Sequence, residues 1–312
     1  DANAILSSLG HRAFIGSWAG TPREGYFVMA FVFSLIMVAC TWTTFFGTRE
    51  RDLNAAANSP SLSTPFDYAS SIVRELQGNK PFQVSVLILL LTNCAATFVA
   101  VNLPYFLQYV VDLKAYQTQI LLTLFLSAIL SVVVWVWIAK RFGKTESYRV
   151  AMIFYVVVLM CLPLLPVGSV GAAVAASIFA GFFHAAGLMI PWAIVPDVVE
   201  FDELKVGRRR EGLFYGGTTF SYKFATAIAI FVSGSILESV GYQPNAVQTP
   251  EAMLGIKFLI GPVPAVLLLL GAYLSTKYPL SKEKHQQIVD ALAAKRRAAV
   301  QQTPTPTHSI NE

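Results

Sequence analysis

The chain has 312 residues, of which 55% are apolar and 13% carry a charged side chain, with a formal net charge of +5. A soluble globular domain carries about 25% charged residues, so this composition excludes an ordinary water-soluble protein. The high apolar content excludes intrinsic disorder, and three cysteines are too few for a disulfide scaffold. A polytopic membrane protein is the class that remains.

Seven apolar runs are long enough to cross a bilayer core, which takes about 20 residues of helix. Backbone amides at that depth must be satisfied within their own segment, so we predict helices rather than strands. The expected fold class is therefore all-α, with about seven transmembrane helices. The runs cover approximately residues 26–46, 84–111, 118–138, 150–166, 170–195, 213–237 and 253–273.

Lysine and arginine are distributed unevenly among the segments between these runs. If the C-terminus is cytoplasmic, eighteen of the twenty-three lie on the cytoplasmic side, as the positive-inside rule expects. We therefore predict an integral protein of the cell (inner) membrane with a cytoplasmic C-terminus. The positive charge is then a topology signal and does not indicate binding to nucleic acid.

Residues 1–24 contain neither an initiator methionine nor a basic segment followed by an apolar stretch. We expect the chain to begin within a longer protein. Five segments are predicted: extracytoplasmic residues 1–24, a transmembrane helix over 25–47, a cytoplasmic linker with a short amphipathic helix over 48–81, a six-helix transmembrane bundle over 82–277, and a cytoplasmic tail over 278–312.

Lys223 lies in the middle of the sixth apolar run, about ten residues from either end. A charge at that depth is costly and marks a functional site by default. Thr219 and Thr226 share its helix face, which must look at protein or water. A lysine that only joins helices would need a carboxylate partner, and no run carries one near its middle. We therefore predict that this face belongs to a path for a solute or an ion.

Other polar residues indicate a lined cavity. Each alone is more often a residue that hydrogen-bonds between helices, but together with Lys223 they are typical of a ligand site. Trp135 and Trp137, near the end of a run, favour an interfacial belt instead. The cavity candidates are Asn93, Thr97, Asn102 and Tyr105 in the second run, and His184 and Trp192 in the fifth.

A cluster of carboxylates between residues 197 and 203 is followed directly by basic residues. No histidine or cysteine accompanies these carboxylates, so a charge-paired gate loop is favoured over a metal site. No enzyme motif is present, and we predict that the protein is not an enzyme. The predicted cytoplasmic gate consists of Asp197, Glu200, Arg141, Lys144, Arg208, Arg209 and Arg210.

Residues 191–203 (PWAIVPDVVEFDE), 208–212 (RRREG) and 214–223 resemble the tenth helix, the following loop and the eleventh helix of the glycoside–pentoside–hexuronide:cation symporters of the major facilitator superfamily. Residues 79–82 resemble the entry to that family's seventh helix, and residues 141–144 resemble a degenerate form of the superfamily's basic gating loop. The resemblance covers about residues 25–300. It implies that the first run is helix six and that the other six form the complete C-terminal half.

The resemblance implies alternating access, in which two six-helix bundles rock around a central site and transport is driven by co-bound Na⁺ or H⁺. In melibiose-permease-like members the lysine that Lys223 matches lies at the substrate and cation site. Their cation-binding aspartates lie on helices two and four, which this chain lacks. The coupling ion is therefore expected to bind mainly to the N-terminal half, no other cofactor is expected, and this piece alone should not perform coupled transport.

We predict a cation-coupled symporter of a sugar, a glycoside or a similar small solute, which contacts membrane lipid and is a monomer when intact. The family also includes animal lysophospholipid symporters, whose Pro-Trp…Pro-Asp and Thr-Lys-Phe stretches are similar to residues 191–197 and 222–224. A symporter of lysophospholipids or other amphiphiles is therefore one alternative. A membrane subunit that does not itself transport is the other, because the N-terminal half is expected elsewhere.

Overall fold

The computed structural model describes residues 22–48, 78–207 and 209–302. Within these ranges every regular element is helical, which confirms the predicted all-α class. The chain divides into two compact units, Asp1–Tyr68 and Ala69–Glu312. Most of residues 1–24, the amphipathic helix expected within the linker, and Arg208 of the predicted gate lie outside the described residues.

In the first unit, helix α1 covers Pro22–Gly47. Four of its hydroxyl groups are satisfied inside the helix, because each donates to the carbonyl four residues earlier at 2.7–2.9 Å. A helix with satisfied hydroxyls suits a medium without water. The donors are Ser34, Thr41, Thr43 and Thr44.

In the second unit a π-type turn at Phe106–Val110 extends α2, and short 3₁₀ turns lie at Lys114–Tyr116 and Leu162–Leu164. With α1, seven described helical segments are long and apolar enough to cross a membrane, which confirms the predicted number. The helices are α2 (Lys80–Tyr105), α3 (Gln117–Phe142), α4 (Lys144–Cys161), α5 (Val170–Val206), α6 (Glu211–Ser239), α7 (Pro250–Ile260), α8 (Pro262–Ser275) and α9 (Lys282–Gln302).

The structure corrects the predicted gate loop between residues 197 and 210. Helix α5 continues through all four carboxylates to Val206 and ends at Gly207, whose φ of +80° is the left-handed conformation that glycine adopts without strain. Polarity alone suggested a loop. The stretch stays helical because ion partners from other elements satisfy its carboxylates at that end of the bundle.

The last predicted span is interrupted where α7 meets α8. Gly261 separates the two helices. Pro262 begins the second helix and has no N–H that could continue the backbone hydrogen bonds of the first. A Cβ on Gly261 would lie 2.8 Å from the ring of Pro163 and 3.2 Å from the carbonyl oxygen of Leu159. The close approach of the turn after α4 therefore requires a residue without a side chain at this break.

The six spans of the second unit are arranged around α2, which contacts α5, α6 and α8. Helix α5 packs on α3 and α4, and α8 packs on α4. The row α3–α5–α2–α6 therefore forms one side of the bundle. Its outer members, α3 and α6, are less buried than α2, which lies inside the row. The core of the bundle lies along α2, α4, α5 and α8.

The contact between α3 and α5 brings their backbones close together. A Cβ on Gly181 would overlap the carbonyl oxygen of Leu124 and lie 3.1 Å from the Cβ of Ser127. Trp135 is buried and donates to the Phe182 carbonyl at 2.7 Å. This burial corrects the interfacial role expected of Trp135, because its indole N–H finds its partner on the neighbouring helix.

We expect Gly181→Ala to destabilise the bundle by about 1–3 kcal/mol, because α3 must move away to accommodate the methyl group. Gly234→Ala in α6 is the matched control, since open space surrounds that position. Both changes gain the same helix propensity, so their difference isolates the clash. Thermal unfolding of the purified protein in detergent measures it. Equal melting temperatures for the two variants would contradict this account of the contact.

Candidate functional site

Lys223 lies on an exposed face of α6. Its Nζ is 5.8 Å from the centroid of the Tyr222 ring. Among the described residues no carboxylate oxygen lies within ion-pair distance of this ammonium. Thr219, one turn earlier, is exposed beside it. The lysine is thus left without a charge partner by the bundle that holds it.

Asn93 of α2 joins that helix to α6 at two residues that flank the lysine in sequence. Its Nδ2 donates to the Tyr222 carbonyl and to Thr226 Oγ1, both at 2.9 Å, and Thr97 Oγ1 donates to the Asn93 carbonyl at 2.8 Å. The structure therefore brings three predicted site residues, Asn93, Thr97 and Thr226, into one polar contact. Its residues on α6, Tyr222 and Thr226, lie one position before and three positions after Lys223.

Asn102 forms a second bridge between α2 and α6, farther along both helices. It is fully buried, and its Nδ2 donates to Ser233 Oγ and to the Phe98 carbonyl, both at 2.8 Å. Tyr105 packs its ring against Tyr242 with centroids 5.2 Å apart. Neither Asn102 nor Tyr105 lines the cavity beside Asn93, so the structure does not group them with the other candidates.

A cavity of about 250 Å³ opens between α2, α3, α4, α5 and α6. His184 contributes to it, and its Nδ1 lies 3.2 Å from the Tyr155 hydroxyl. The polar members are Asn93, Thr97, Tyr155, His184 and Tyr222, whereas the remaining wall is apolar: Ala96, Val99, Ala100, Leu103, Leu121, Leu124, Phe125 and Leu188.

Trp192 lies just outside this cavity. Its ring is 5.9 Å from the ring of Tyr222, and both line a small recess next to Asn93. Tyr155 was not anticipated from the sequence, although a phenol within an apolar run is a usable signal, because its hydroxyl must find a partner there. No group of three or more metal-ligating side chains occurs among the described residues.

Charged residues gather at the end of the bundle where α3 and α5 end and α4 and α6 begin, which we call the basic end. There Lys144 Nζ contacts Asp197 Oδ1 at 2.6 Å and the Ala193 carbonyl at 2.8 Å. His285 Nε2 of α9 lies 2.7 Å from Glu200 Oε2 and 3.3 Å from Asp197 Oδ1. His285 was not among the predicted gate residues, because nothing in the sequence brings α9 to α5.

A second ion pair at the basic end is almost completely buried. Arg210 donates to both oxygens of Asp202 at 2.8 Å, and Asn79 Nδ2 lies 3.5 Å from the same carboxylate. Arg209 pairs with Glu211 at 2.5 Å and with Glu203 at 3.7 Å. The predicted basic residues after α5 therefore meet carboxylates close to them in sequence.

Arg141 is the described gate candidate that is not brought to these clusters. Its guanidinium lies over the rings of Trp137 and Phe142, at 5.6 and 5.7 Å from their centroids. Cation–π contacts of this kind are worth about 0.5–1 kcal/mol at exposed sites. Arg141 thus covers the exposed aromatic end of α3.

Tyr278, between α8 and α9, turns a buried hydroxyl toward the basic end. It lines a second cavity of about 240 Å³ together with Lys144, Asp197 and His285. Burial, and then the negative charge of Asp197, raise the pKa of Tyr278 above its ordinary value. The phenol therefore stays protonated, and its buried oxygen has no hydrogen-bond partner among the described residues.

Residues 3–282 match the sequence profile of the family described as MFS/sugar transport protein. The chain belongs to this family. Its relatives include the uncharacterized symporter YjmB of Bacillus subtilis, 32% identical over 279 residues, which are 88% of this chain and 59% of that protein. The sodium-dependent lysophosphatidylcholine symporter 1-A of Danio rerio is 30% identical over 267 residues, 85% of this chain and 49% of that protein.

A third relative is the sphingosine-1-phosphate transporter MFSD2B of Xenopus tropicalis, 26% identical over 275 residues, which are 87% of this chain and 52% of that protein. The chain thus spans about half the length of the curated relatives it matches. Membership of the MFS/sugar transport family confirms the family expected from residues 191–223. It agrees with the six-helix arrangement of the second unit.

We expect Asp202→Asn to lower the stability of the bundle by about 3 kcal/mol, because it weakens both charge-assisted hydrogen bonds that this buried carboxylate accepts from Arg210. Glu146→Gln is the control. It breaks an exposed pair with Arg149 and should cost less than about 1 kcal/mol. Thermal unfolding in detergent compares the two. A larger loss of stability in Glu146→Gln than in Asp202→Asn would show that burial does not determine how much these ion pairs stabilise the bundle.

Proposed function

We propose that this chain is one half of a cation-coupled symporter that works by alternating access. The single observation that carries the proposal is Lys223, an exposed cation on α6 without an ion-pair partner among the described residues. It does not line the cavity itself, but its Nζ lies 5.8 Å from the ring of Tyr222, which does. A charge at mid-span without a partner in its own bundle is expected to face a second bundle or the solute. Membership of the MFS/sugar transport family and the symporters among its relatives support this reading.

The coupling ion, Na⁺ or H⁺, would bind mainly to the rest of the intact protein. The cavity wall formed by the described residues offers hydroxyl, amide and imidazole groups and no carboxylate. A hard cation prefers carboxylate and carbonyl oxygens. A partner bundle that carries such a carboxylate would also pair with Lys223, so that the lysine senses whether the cation is bound.

The basic end would face the cytoplasm of a cell membrane. The lysines and arginines of this end support that orientation through the positive-inside rule. The charge clusters around Asp197 and Asp202 would then lie at the cytoplasmic mouth. They would form the part of the gate that this bundle supplies.

For the substrate, the cavity favours an amphiphile. Its polar groups are those of Asn93, Thr97, Tyr155, His184 and Tyr222. The rest of the wall is aliphatic or aromatic, which suits a polar head with a short stretch of apolar chain. The relatives named as lysophosphatidylcholine and sphingosine-1-phosphate transporters point the same way. A phosphate on such a solute would suit the Lys223 ammonium as a charge-assisted donor.

A sugar or glycoside is the second candidate. The aromatic pair of Trp192 and Tyr222, beside the Asn93 amide, offers a ring surface next to hydrogen-bonding groups. Sugars expose apolar C–H faces that stack on aromatic rings, together with hydroxyls that need donors and acceptors. The experiments below separate the two classes.

We expect Lys223→Ala in the intact protein to abolish cation-coupled uptake while membrane insertion is unchanged, because the variant removes a mid-span cation that has no ion-pair partner among the described residues. Lys114→Ala, an exposed lysine before α3, is the control and should keep uptake. Uptake into cells or proteoliposomes, with and without a Na⁺ or H⁺ gradient, measures the effect. Full coupled uptake by Lys223→Ala would contradict the assignment.

The same assay tests the chain as an assembly subunit. We expect this chain alone to show no coupled uptake and to gain it when co-expressed with the other half. If co-expression restores no uptake of any solute, a membrane subunit without transport activity becomes the better description.

For the substrate class, we expect Ala96→Phe to fill the cavity and to remove stabilisation by an amphiphile. Thermal shifts of the intact protein with lysophosphatidylcholine and with a glycoside, each with and without Na⁺, report binding. Leu164→Phe is the control, because residue 164 is exposed and lies outside the cavity. Stabilisation by the glycoside and none by lysophosphatidylcholine would contradict the amphiphile and favour the sugar class.

A further inference from the structure

We propose that the cavity of about 240 Å³ at the basic end binds the phosphate of an anionic phospholipid. This site is separate from the cavity beside Asn93, because the two share no lining residue. The phospholipid is held by the second unit as a bound component of the membrane, so its binding does not depend on the transport function.

The cavity lies where two membrane spans end. The apolar span of α3 ends at Phe142 and that of α4 begins at Lys144, and Gly143 between them lines the cavity. In a bilayer, the phosphates lie immediately outside the hydrocarbon core that such spans cross. The cavity is therefore at the depth where a phospholipid headgroup is available.

Positive charge is in excess around the cavity. Its lining contains the lysines Lys140, Lys144 and Lys282, and a single carboxylate, that of Asp197. Lys144 pairs with Asp197 at 2.6 Å. No described carboxylate lies within ion-pair distance of Lys140 or Lys282. Two ammonium groups at the cavity are therefore left to attract an anion.

The other contacts of the lining do not reverse this sign. His285 lines the cavity and lies 2.7 Å from Glu200, so with a neutral imidazole three lysines still face only two carboxylates.

Lys282 Nζ is oriented by neighbouring carbonyls and keeps its charge. It donates to the carbonyls of Lys140 and Arg141 at 2.8 and 3.3 Å, where α3 ends. Carbonyl oxygens carry no net charge, and an ammonium has three N–H donors. The ammonium thus keeps a donor and an uncompensated charge for a phosphate oxygen.

The start of α4 adds backbone donors to the same place. Its N-cap is Gly143, so no side chain accepts from the N–H groups of the first turn, and Thr145 in that turn lines the cavity. The start of α9 differs, because Ser281 Oγ accepts from the Lys284 N–H at 3.4 Å. An uncapped helix start carries partial positive charge and unsatisfied N–H groups, a combination that suits phosphate.

Tyr278 supplies a donor that the protein itself leaves unused. Its ring lines the cavity, and its buried hydroxyl has no hydrogen-bond partner among the described residues. A buried polar group without a partner costs free energy. A phosphate oxygen in the cavity would accept this hydrogen bond, so the phenol favours a ligand with acceptors over an apolar one.

The surface of α3 that leads to the cavity indicates a lipid rather than a soluble phosphate. Val133, Trp137 and Lys140 follow one another at helical spacing, and all three are exposed. The stripe is apolar along the span and basic at its end, where Lys140 lines the cavity. A phospholipid fits this order, with an acyl chain along Val133 and Trp137 and its phosphate at Lys140.

Native mass spectrometry of the full chain, released from detergent micelles, tests the site by counting retained lipids. We expect phosphatidylglycerol to bind at least about fivefold more tightly than phosphatidylcholine, because the lysines repel the choline cation. Glycerol 3-phosphate should bind at least about tenfold more weakly than phosphatidylglycerol, because it has no chain to lie on α3. Equal binding of the two lipids would overturn the anionic ligand, and equal binding of glycerol 3-phosphate would overturn the lipid as its source.

Charge variants separate the cavity from the basic surface as a whole. Lys140→Gln and Lys282→Gln should each weaken the binding of phosphatidylglycerol at least about fivefold, because each removes a charged donor to the phosphate. Lys284→Gln is the control, since it removes the same charge from an exposed position of α9 outside the cavity. An equal loss in Lys284→Gln would show attraction to surface charge in general and would overturn the site.

Tyr278→Phe removes a hydroxyl from the cavity and leaves every charge in place. We expect it to weaken the binding of phosphatidylglycerol about threefold or more, through the lost hydrogen bond. Tyr273→Phe, at an exposed position of α8, is the control and should bind like the parent protein. No loss in Tyr278→Phe would place the lipid on the outer surface of the basic end and would overturn the cavity as its site.

These measurements are independent of the transport assignment. They contain no transported solute, whereas the symporter proposal depends on uptake by Lys223→Ala. Failure of either proposal therefore leaves the other unaffected.

Discussion

The bundle depends on satisfying side-chain amides between helices in a medium that offers no water. Asn93 and Asn102 lie on α2 about two and a half turns apart, and both reach across to α6. Interhelical bonds of this kind are worth about 0.6 kcal/mol each on average and up to about 1.7. Their larger effect is on register, because two fixed bridges allow only one alignment of α6 against α2.

That alignment decides where Lys223 stands. The hydrogen bonds from Asn93 fall on Tyr222 and Thr226, so the residue between them on the helix turns away from α2 and is exposed. The side-chain amide of Asn93 is used for packing within the bundle, and Lys223 is left on the exposed surface of α6. The polar residues of α6 therefore differ in their partners: Ser233 and Asn102 hydrogen-bond to each other, whereas Lys223 faces no carboxylate among the described residues.

Properties that depend on one segment at a time were predictable from the sequence. The number of spans follows from apolar length, and Lys223 stands out because charge is expensive at mid-span. Properties that depend on partners were not. The carboxylate-rich stretch after Asp197 suggested a loop, yet it is helical because Lys144 and His285 arrive from elsewhere. Trp135 was expected at the membrane interface because its hydrogen-bond partner could not be read from the sequence: the Phe182 carbonyl on α5 is 47 positions away.

The two polar regions differ in how their charges are compensated. At the basic end, Asp202 and Asp197 meet cations within the same unit, so the charges stabilise a defined arrangement. Beside the cavity, Lys223 is left uncompensated by its own bundle, so its electrostatic free energy depends on what binds across from it. Under the proposed function, a site that responds to a solute or an ion needs such an uncompensated charge. A gate would need the opposite, a network of ion pairs that is complete in one state and costs free energy to break.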